Sequence, residues 1–391
     1  MAIPLAYNLR NLRVRLTTTL MTALGIALTV AVLLGVMALV NGLRGALEVT
    51  GRPDQVIVMR QGSTAELVSA VQAEKFRDIA LLDGIAQRDG QPMLSHEIVS
   101  VVSLRLRDEP DNPETEGNVN IRGVSPMGRY LRDDLKLTEG RWFEPGKREV
   151  VVGQGVHAIR ANSDIGDKIT FGRDEWEVVG VFEDGRSAYN SEIWCDGNLA
   201  TLDLGRNGTR SSVLLRATDE AAAQAIIRRV QQDQRLLLEG QLEREYYAKQ
   251  MSSAGPVQAL GVFVAMIMAV GSCFAAMNTM YTAVARRSRE VGTLRLLGFS
   301  RASILLSFVL ESLFLSLTGG LLGCLLVLPL NGLQSRIGNQ LTFSETTFSF
   351  QITPESVAMG LGFAAVMGVV GGLLPARLAA GRSILASLRG G

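Results

Sequence analysis

Four long apolar runs stand out in the pattern of hydrophobic and polar positions along the chain. They cover residues 17–40, 256–284, 302–329 and 354–375. About 20 consecutive apolar residues form a helix that can cross a bilayer, whereas a secretory signal has a shorter apolar core. The pattern therefore predicts four transmembrane helices, the first of them retained, with one large domain, residues 41–255, inserted between the first two.

The inserted domain has the mixed periodicity of an α+β fold. Short β-branched runs such as 56–59 and 119–124 are typical of strands, and residues 168–182 resemble a hairpin. Residues 64–80 and 218–238 have apolar positions at helical spacing. We therefore expect an α+β domain with two lobes, joined to a membrane-spanning α-helical part.

The distribution of arginine determines the expected orientation. Arginines precede the first run at 10–15, lie between the second and third at 286–301, and follow the fourth at 377–389. The short 330–353 loop has a single basic residue. Because cytoplasmic loops carry the excess of Lys and Arg, both termini are expected in the cytoplasm. The inserted domain and the 330–353 loop are then expected on the periplasmic side of a bacterial inner membrane.

Charge and cysteine content narrow the classes of function. Residues 41–255 hold 27 basic and 34 acidic side chains, so the domain lacks the concentrated basic surface of a nucleic-acid-binding protein. Cys195 is the only cysteine in this domain, which excludes a disulfide framework there. His96 and His157 have no metal-ligand spacing around them. We expect no metal site, no catalytic residues and no enzymatic activity of this chain.

Small residues recur at every fourth position in each apolar run, on one helical face. Such faces let transmembrane helices approach closely. The stripes are Ala23, Ala27, Ala31 and Gly35; Gly261, Ala265, Ala269 and Cys273; Ser312, Ser316, Gly320 and Cys324; and Gly360, Ala364, Gly368 and Gly372. We assign the first two to helix packing or dimerisation, and the partner of each stripe stays open.

Glu311 is an ionisable residue inside the third apolar run. Such residues are costly in lipid and usually face the protein interior or a cavity. Two interpretations are open: a proton or substrate relay, or an ion pair with a nearby arginine. The position of Glu311 near the cytoplasmic end of its run favours the ion pair.

Two segments carry a distinctive pattern. One is Ala6–Arg13 followed by Leu20–Ala27, and the other is Ala285–Phe299, which contains Arg-Glu-Val-Gly-Thr-Leu-Arg-Leu-Leu-Gly. With the Gly-Arg-Trp-Phe sequence at 140–143, they resemble the permeases of the MacB, LolCDE and FtsX group of ABC transporters. The order of one helix, a large outer domain and three further helices also resembles that group.

The resemblance implies a mechanism driven by an ATPase subunit. In that group two permease chains form a dimer, and each chain docks on an ATPase through a coupling helix. The resemblance assigns this role to Arg286, Arg287, Arg289, Glu290, Val291, Gly292, Thr293, Leu294, Arg295, Leu297 and Gly298. Val291, Leu294 and Leu297 also have helical spacing, so one side could pack on a partner. A loop made basic by orientation alone would explain the arginines but not this spacing.

The resemblance also implies the cofactor and the partners. The chain has no Gly-x-x-x-x-Gly-Lys-Ser/Thr loop to cradle the phosphates of ATP. We therefore expect ATP and Mg²⁺ on an ABC ATPase subunit acting in trans, and no cofactor in this chain. Other expected partners are a second permease copy in a homodimer, membrane lipids, a periplasmic adaptor (membrane-fusion protein) and an outer-membrane exit protein.

Two functions stay open at this point. One is export or extraction of an amphipathic cargo, such as a drug, peptide, lipid or lipoprotein. The other is signalling, in which an FtsX-like subunit activates a periplasmic cell-wall hydrolase. The resemblance further implies that residues 3–16, with leucines on one side and arginines between them, form a helix along the inner membrane surface.

Overall fold

The protein divides into two compact units. A computed structural model describes residues 16–47, 50–185, 187–250, 255–339 and 344–381. The membrane unit comprises residues 1–41, 254–333 and 350–391, and the inserted domain comprises residues 42–253 and 334–349. The interfacial helix predicted for residues 3–16 lies, apart from Leu16, outside the described residues.

Helices and strands alternate along the described part of the chain. The α-helices are α1 (Leu16–Leu47), α2 (Lys75–Ala80), α3 (Gln154–Ile159), α4 (Gly197–Asp203), α5 (Glu220–Gln232), α6 (Glu243–Gln250), α7 (Gly255–Arg286), α8 (Ser288–Leu296), α9 (Arg301–Val327) and α10 (Pro354–Gly381). The strands are β1 (Gln55–Arg60), β2 (Val71–Gln72), β3 (Gln87–Arg88), β4 (Gln91–Pro92), β5 (Leu94–Leu104), β6 (Gly117–Val124), β7 (Leu135–Gly140), β8 (Glu149–Gly153), β9 (Lys168–Phe171), β10 (Asp174–Asp184), β11 (Glu192–Asp196), β12 (Thr209–Arg210), β13 (Ser212–Arg216), β14 (Leu238–Leu242), β15 (Gln334–Asn339) and β16 (Ser344–Ser349).

Four helices, α1, α7, α9 and α10, are long and apolar enough to cross a membrane. Their apolar spans are Leu20–Ala46, Ala259–Arg286, Arg301–Leu330 and Pro354–Gly381. In hydrocarbon each backbone N–H and C=O must be bonded internally, which a continuous helix achieves. The four predicted transmembrane helices are confirmed, and α1 and α10 continue beyond their predicted ends.

Small residues let α9 pack closely against α1 and α10. A Cβ atom added at Gly323 would lie 2.6 Å from the carbonyl oxygen of Ala27 on α1. On the other side, Ser312 Oγ donates a hydrogen bond to the carbonyl oxygen of Gly368 at 2.7 Å. Ala27, Ser312 and Gly368 belong to the predicted stripes, and Gly323 lies beside one of them. All four contact neighbouring helices of the same chain, where close approach replaces the hydrophobic driving force that lipid removes.

The inserted domain is built on a ten-stranded mixed sheet. Its strand order is β14-β1-β13-β5-β6-β11-β8-β10-β7, and β9 pairs with β10. One hydrophobic core packs α5 on one half of the sheet and includes Val56 and Ile226. A second core lies on the other half and includes Ile121 and Trp176. The predicted α+β fold is confirmed, and it has two hydrophobic cores.

The segment predicted as a short loop at 330–353 contains regular structure instead. Strands β15 and β16 pair in antiparallel register, with Gln334 opposite Ser349, and this hairpin belongs to the inserted domain. Alternate residues of β16 are buried, among them Phe348. The inserted domain is therefore made from two separate stretches of the sequence.

Replacing Gly368 by alanine is expected to destabilise the membrane unit by about 1–3 kcal/mol, because it overpacks a close helix contact. An added Cβ would lie 2.8 Å from Ser316 Cβ and 3.0 Å from the carbonyl oxygen of Ser312. Gly362→Ala on the same helix is the matched control, since no neighbour in the described part of the chain comes within 4 Å of its added Cβ. Unfolding of the full-length chain in detergent measures both variants, and equal stabilities would contradict this packing.

Candidate functional site

The residues predicted to couple to an ATPase lie on α8 and at its two ends. Arg286, the last residue of α7, is exposed, and Arg287 next to it is buried. The side chain of Arg289 lies outside the described part of the structure. Arg287 therefore does not belong to an exposed basic surface.

Arg287 forms a buried ion pair with Glu311 on α9. Its guanidinium donates two hydrogen bonds to the carboxylate, at 2.7 and 3.1 Å, and both side chains are 7% exposed. A bidentate pair of this kind neutralises both charges away from water. Glu311 thus has the arginine partner that its position favoured, and the pair ties the start of α8 to α9.

One side of α8 packs into the membrane unit. Val291 and Gly292 are buried, and Val291 lies in a hydrophobic cluster with Met280 and Phe308. The sequence placed Val291 on the side of α8 that faces a partner. Its helical spacing serves the chain's own core instead.

The opposite side of α8 is accessible. Its exposed side chains are Glu290, Thr293, Leu296 and Leu297, whereas Leu294 and Arg295 are half-buried. Leu296 and Leu297 are 61% and 68% exposed, so two adjacent leucines stand at the end of the helix. Leu296 was not among the predicted residues.

Gly298 ends α8 and sets the direction of these leucines. Its φ is +90°, a conformation that glycine adopts without strain. The N–H of Phe299 donates to the carbonyl oxygen of Leu294 at 3.1 Å, which closes the last turn as a Schellman motif. Ser300 then caps α9 by accepting a hydrogen bond from Ser303 N at 3.2 Å.

The small residues predicted for helix packing or dimerisation lie on α1 and α7, and all of them are buried or partly buried in the single chain. Ala23, Ala27, Ala265 and Ala269 are buried, and Ala31, Gly35, Gly261 and Cys273 are partly buried. A Cβ added at Gly261 would lie 2.5 Å from Val36 Cγ1 on α1. Gly261 of the second stripe therefore contacts α1 of the same chain, whereas no described neighbour comes within 4 Å of a Cβ added at Gly35.

A buried network of charges lies in the inserted domain. The guanidinium of Arg122 on β6 uses all five N–H donors in hydrogen bonds of 2.7–2.8 Å to Glu66, Glu97 and Glu192. Glu97 also accepts two hydrogen bonds from Arg132, at 2.7 and 2.9 Å. Burial alone would raise the pKa of Glu97, but the charges of Arg132 and Arg122 outweigh it and hold the pKa at about 2.

Glu243, at the start of α6, also belongs to this network, but its carboxyl group differs from that of Glu97 in protonation state. Tyr189 Oη donates a hydrogen bond to Glu243 Oε1, while Oε2 has no partner in the described part of the chain. Burial raises the pKa of Glu243 to about 7, although Arg132 and this hydrogen bond act in the opposite direction. The carboxyl group is therefore largely uncharged below neutral pH.

Sequence reasoning missed this network. The signal that could have revealed it is Arg122, a charged residue in the middle of the apolar strand β6. A buried arginine requires acidic partners, so glutamates at inward positions of neighbouring strands would have been candidates. The two histidines lie in separate places: His96 stacks on Phe76, with ring centroids 5.1 Å apart, and His157 Nδ1 is 3.0 Å from the carbonyl oxygen of Ser163. Among the described residues, no group of His, Cys, Asp and Glu side chains could hold a metal ion.

Comparison with known families identifies the class of protein. The model of the MacB-like periplasmic core domain matches residues 19–233, and that of the FtsX-like permease C-terminal region matches residues 262–384. The first match covers more than half of the chain. The protein therefore belongs to the MacB-like and FtsX-like family of ABC transporter permeases, with its inserted domain outside the membrane.

Individual relatives are similar over long stretches at low identity. The macrolide export ATP-binding/permease protein MacB 2 of Aeromonas hydrophila subsp. hydrophila is 25% identical over 93% of this chain and 56% of its own length. The uncharacterized ABC transporter permease MJ1507 of Methanocaldococcus jannaschii is 25% identical over 67% of each chain. The chain thus spans about half the length of the MacB relative. The crystal structure of the periplasmic region of MacB from Actinobacillus actinomycetemcomitans has 14% identity and a TM-score of 0.37, over 54% of this chain and 95% of that one.

The buried carboxyl of Glu243 predicts a pH-dependent stability. Its pKa rises from 4.5 to about 7 on folding, so its stabilising contribution is complete below pH 4.5 and is lost as the pH rises to about 7. This loss is on the order of 3 kcal/mol. Glu243→Gln, which cannot ionise, is expected to remove that part of the pH dependence.

Urea unfolding of the full-length chain in detergent between pH 5 and 8 measures this effect. Glu239→Gln, an exposed position on β14, is the control and is expected to follow the wild-type curve. A Glu243→Gln curve parallel to that of the wild type would show that Glu243 does not gain a proton on folding.

Proposed function

We propose that the chain is the permease subunit of an ABC transporter. ATP binding and hydrolysis on a separate ATPase subunit change the conformation of the inserted domain and drive export or extraction of an amphipathic cargo. The observation that carries the proposal is a short 3₁₀ turn, Ala188–Ser191, which we call the 188–191 turn. Segments that lead to all four transmembrane helices contact it.

Two of these contacts involve α1 and α7. Thr50, just after α1, accepts a hydrogen bond at its Oγ1 from the N–H of Ala188, at 2.8 Å. Glu243 of α6, the helix that precedes α7 in the sequence, accepts a hydrogen bond from Tyr189 Oη. Thr50, Tyr189 and Glu243 are buried, so water does not compete for these bonds.

The third contact involves α9 and α10. The β15–β16 hairpin connects these two helices, and its Thr347 N–H donates to Ser191 Oγ at 2.8 Å. The hydroxyl groups of Thr347 and Ser191 are also 2.7 Å apart. Glu345 of the hairpin forms an ion pair with the buried Arg160. A movement of α9 or α10 would therefore be transmitted to the turn through strand β16 of the hairpin.

The ATPase would bind the accessible side of α8. Leu296 and Leu297 supply apolar area, and Arg295 beside them can bond acidic groups. The Arg287–Glu311 pair joins α8 to α9, so a force applied to α8 would act on α9 and hence on the hairpin. This connection supports an ATP-driven movement that reaches the inserted domain.

The cargo and the wider assembly follow from the same proposal. Glu311 is neutralised by Arg287, so it is not free to line a path for a hydrophilic solute. We therefore propose that cargo is handled outside the membrane by the inserted domain of a homodimer in the bacterial inner membrane, with the termini in the cytoplasm. A periplasmic adaptor and an outer-membrane exit protein complete the assembly, and the relatives named for macrolide export support an amphipathic cargo.

Leu296→Asp with Leu297→Asp is expected to weaken binding of the ATPase subunit at least about tenfold, because two charges replace an apolar contact. The measurement is recovery of ATPase activity with the tagged full-length chain from native membranes. Arg301→Gln, an exposed change at the start of α9, is the control. Unchanged recovery with the leucine variant would reject α8 as the docking site. Absence of any ATPase from the wild-type preparation would reject the transporter proposal.

A redox-controlled variant tests the role of the hairpin. Ser191→Cys with Thr347→Cys removes the hydroxyl contacts when reduced and restores the attachment as a disulfide when oxidised. With the ATPase subunit bound, the nucleotide-dependent change in hydrogen exchange of residues 42–253 is expected to be small in the reduced form and near wild type in the oxidised form. Each single-cysteine variant is the control for oxidation. Equal changes in the two forms of the double variant would contradict transmission through the hairpin.

A further inference from the structure

An aromatic cleft opens on the inserted domain, and Trp194 in its wall donates a hydrogen bond to Glu192 of the charge network, at 2.9 Å. Its volume is about 280 Å³, and its lining includes Arg129, Tyr130, Trp142, Phe143, Pro145 and Trp194. The wall comes from the segment after β7, which holds the Gly-Arg-Trp-Phe sequence, and from the end of β11. Trp142 and Phe143 are only half-buried, so two large apolar rings face the opening.

The size of the cleft limits its occupant. Sites that enclose a drug-sized ligand have volumes of about 300–1,000 Å³, and this cleft lies at the lower end of that range. It is large enough for one aromatic or branched aliphatic side chain. Pockets that accept a single large side chain are the hot spots of protein interfaces, where an apolar anchor is surrounded by polar groups.

The charges at the cleft favour an acidic group beside that anchor. The carboxylate of Asp196 already accepts hydrogen bonds from the N–H groups of Gly146, Asn198 and Leu199, at 2.7–3.1 Å. The guanidinium of Arg129 lies 4.5 Å from the ring centroid of Tyr130 and donates one hydrogen bond to Tyr130 Oη, which leaves its other N–H groups for an incoming carboxylate. Arg129 is exposed, so a carboxylate from outside can reach its N–H groups.

We infer that this cleft is a docking site for an extracytoplasmic polypeptide, which inserts one apolar side chain against Trp142 and Phe143 and places a neighbouring carboxylate on Arg129. The inference does not depend on the ATPase partner or on the nature of the cargo. It assigns the Gly-Arg-Trp-Phe segment to recognition of a protein partner.

Aromatic contacts extend from the cleft into the domain. Trp142 lies 6.1 Å from Phe182, which is 5.2 Å from Trp194, between ring centroids. Trp194 contacts Tyr189 at 5.5 Å, and Tyr189 contacts Tyr247 of α6 at 5.9 Å. The back wall of the cleft is therefore in contact with the 188–191 turn, and a bound side chain would rest on closely packed rings.

The test is selection of peptides from a random display library on the full-length chain in lipid nanodiscs. Enriched peptides are expected to share an aromatic or aliphatic residue next to Asp or Glu. Phe143→Ala is expected to weaken their binding about tenfold to a hundredfold, because a buried apolar contact is lost. Arg129→Gln, an exposed change that does not disturb the core, is expected to abolish the preference for the acidic residue.

Leu81→Ala, at an exposed position elsewhere on the domain, is the matched control and is expected to bind the peptides like the wild type. Peptides that lack the acidic residue, or that bind all variants equally, would overturn the inference. So would a failure to enrich any peptide on the wild-type chain. Displacement of erythromycin from a site that includes Phe143, without selection of such peptides, would assign the cleft to small-molecule cargo instead.

Discussion

The guanidinium of Arg122 is held out of water at the centre of the inserted domain, and its charge must be satisfied wherever the chain folds. Three glutamates do so, from the turn before β2, from β5 and from β11. Removing one partner of such a buried pair costs about 3–5 kcal/mol, although the intact pair adds little net stability. The network thus acts mainly on specificity. Because β5, β6 and β11 are adjacent in the sheet, this strand order brings the arginine to the carboxylates of Glu97 and Glu192.

Buried charges must also be satisfied in the membrane unit, where only two side chains are involved. Arg287 and Glu311 satisfy one another, and the pair fixes the rotation of α8 about its axis. Val291 then faces inward, and Leu296 and Leu297 face outward. In both units a buried ion pair links separate elements of the fold.

Much of the architecture could be predicted because it depends on local pattern. The four apolar spans follow from length and composition alone, and the strands Gln55–Arg60 and Gly117–Val124 follow from β-branched runs. The basic segment at α8 and its family resemblance also follow from adjacent residues.

The predictions that differ from the structure involve contacts between residues that are far apart in the sequence. The amphipathic helix predicted for residues 64–80 is wrong: the segment forms a 3₁₀ turn at Glu66–Val68, then β2 and α2. Glu66 is drawn inside by Arg122, which lies far along the chain, and this contact overrides helical spacing. The β15–β16 hairpin was missed because its alternation is short and mostly polar. The sequence did not show that Val291 lies among apolar residues of its own chain, because periodicity shows that a face is apolar but not what covers it.

The 188–191 turn is where these separate contacts meet. It contacts the segments that lead to the four transmembrane helices, and its Tyr189 also contacts Trp194 at the back of the aromatic cleft. If ATP-driven movement displaces this turn, the cleft must differ between the two states. Thermodynamic linkage is reciprocal. If movement of the turn changes the binding free energy of a partner at the cleft, binding of that partner must change the equilibrium of the turn by the same free energy. A protein bound at Trp142 and Phe143 would therefore sense the nucleotide state and also influence it.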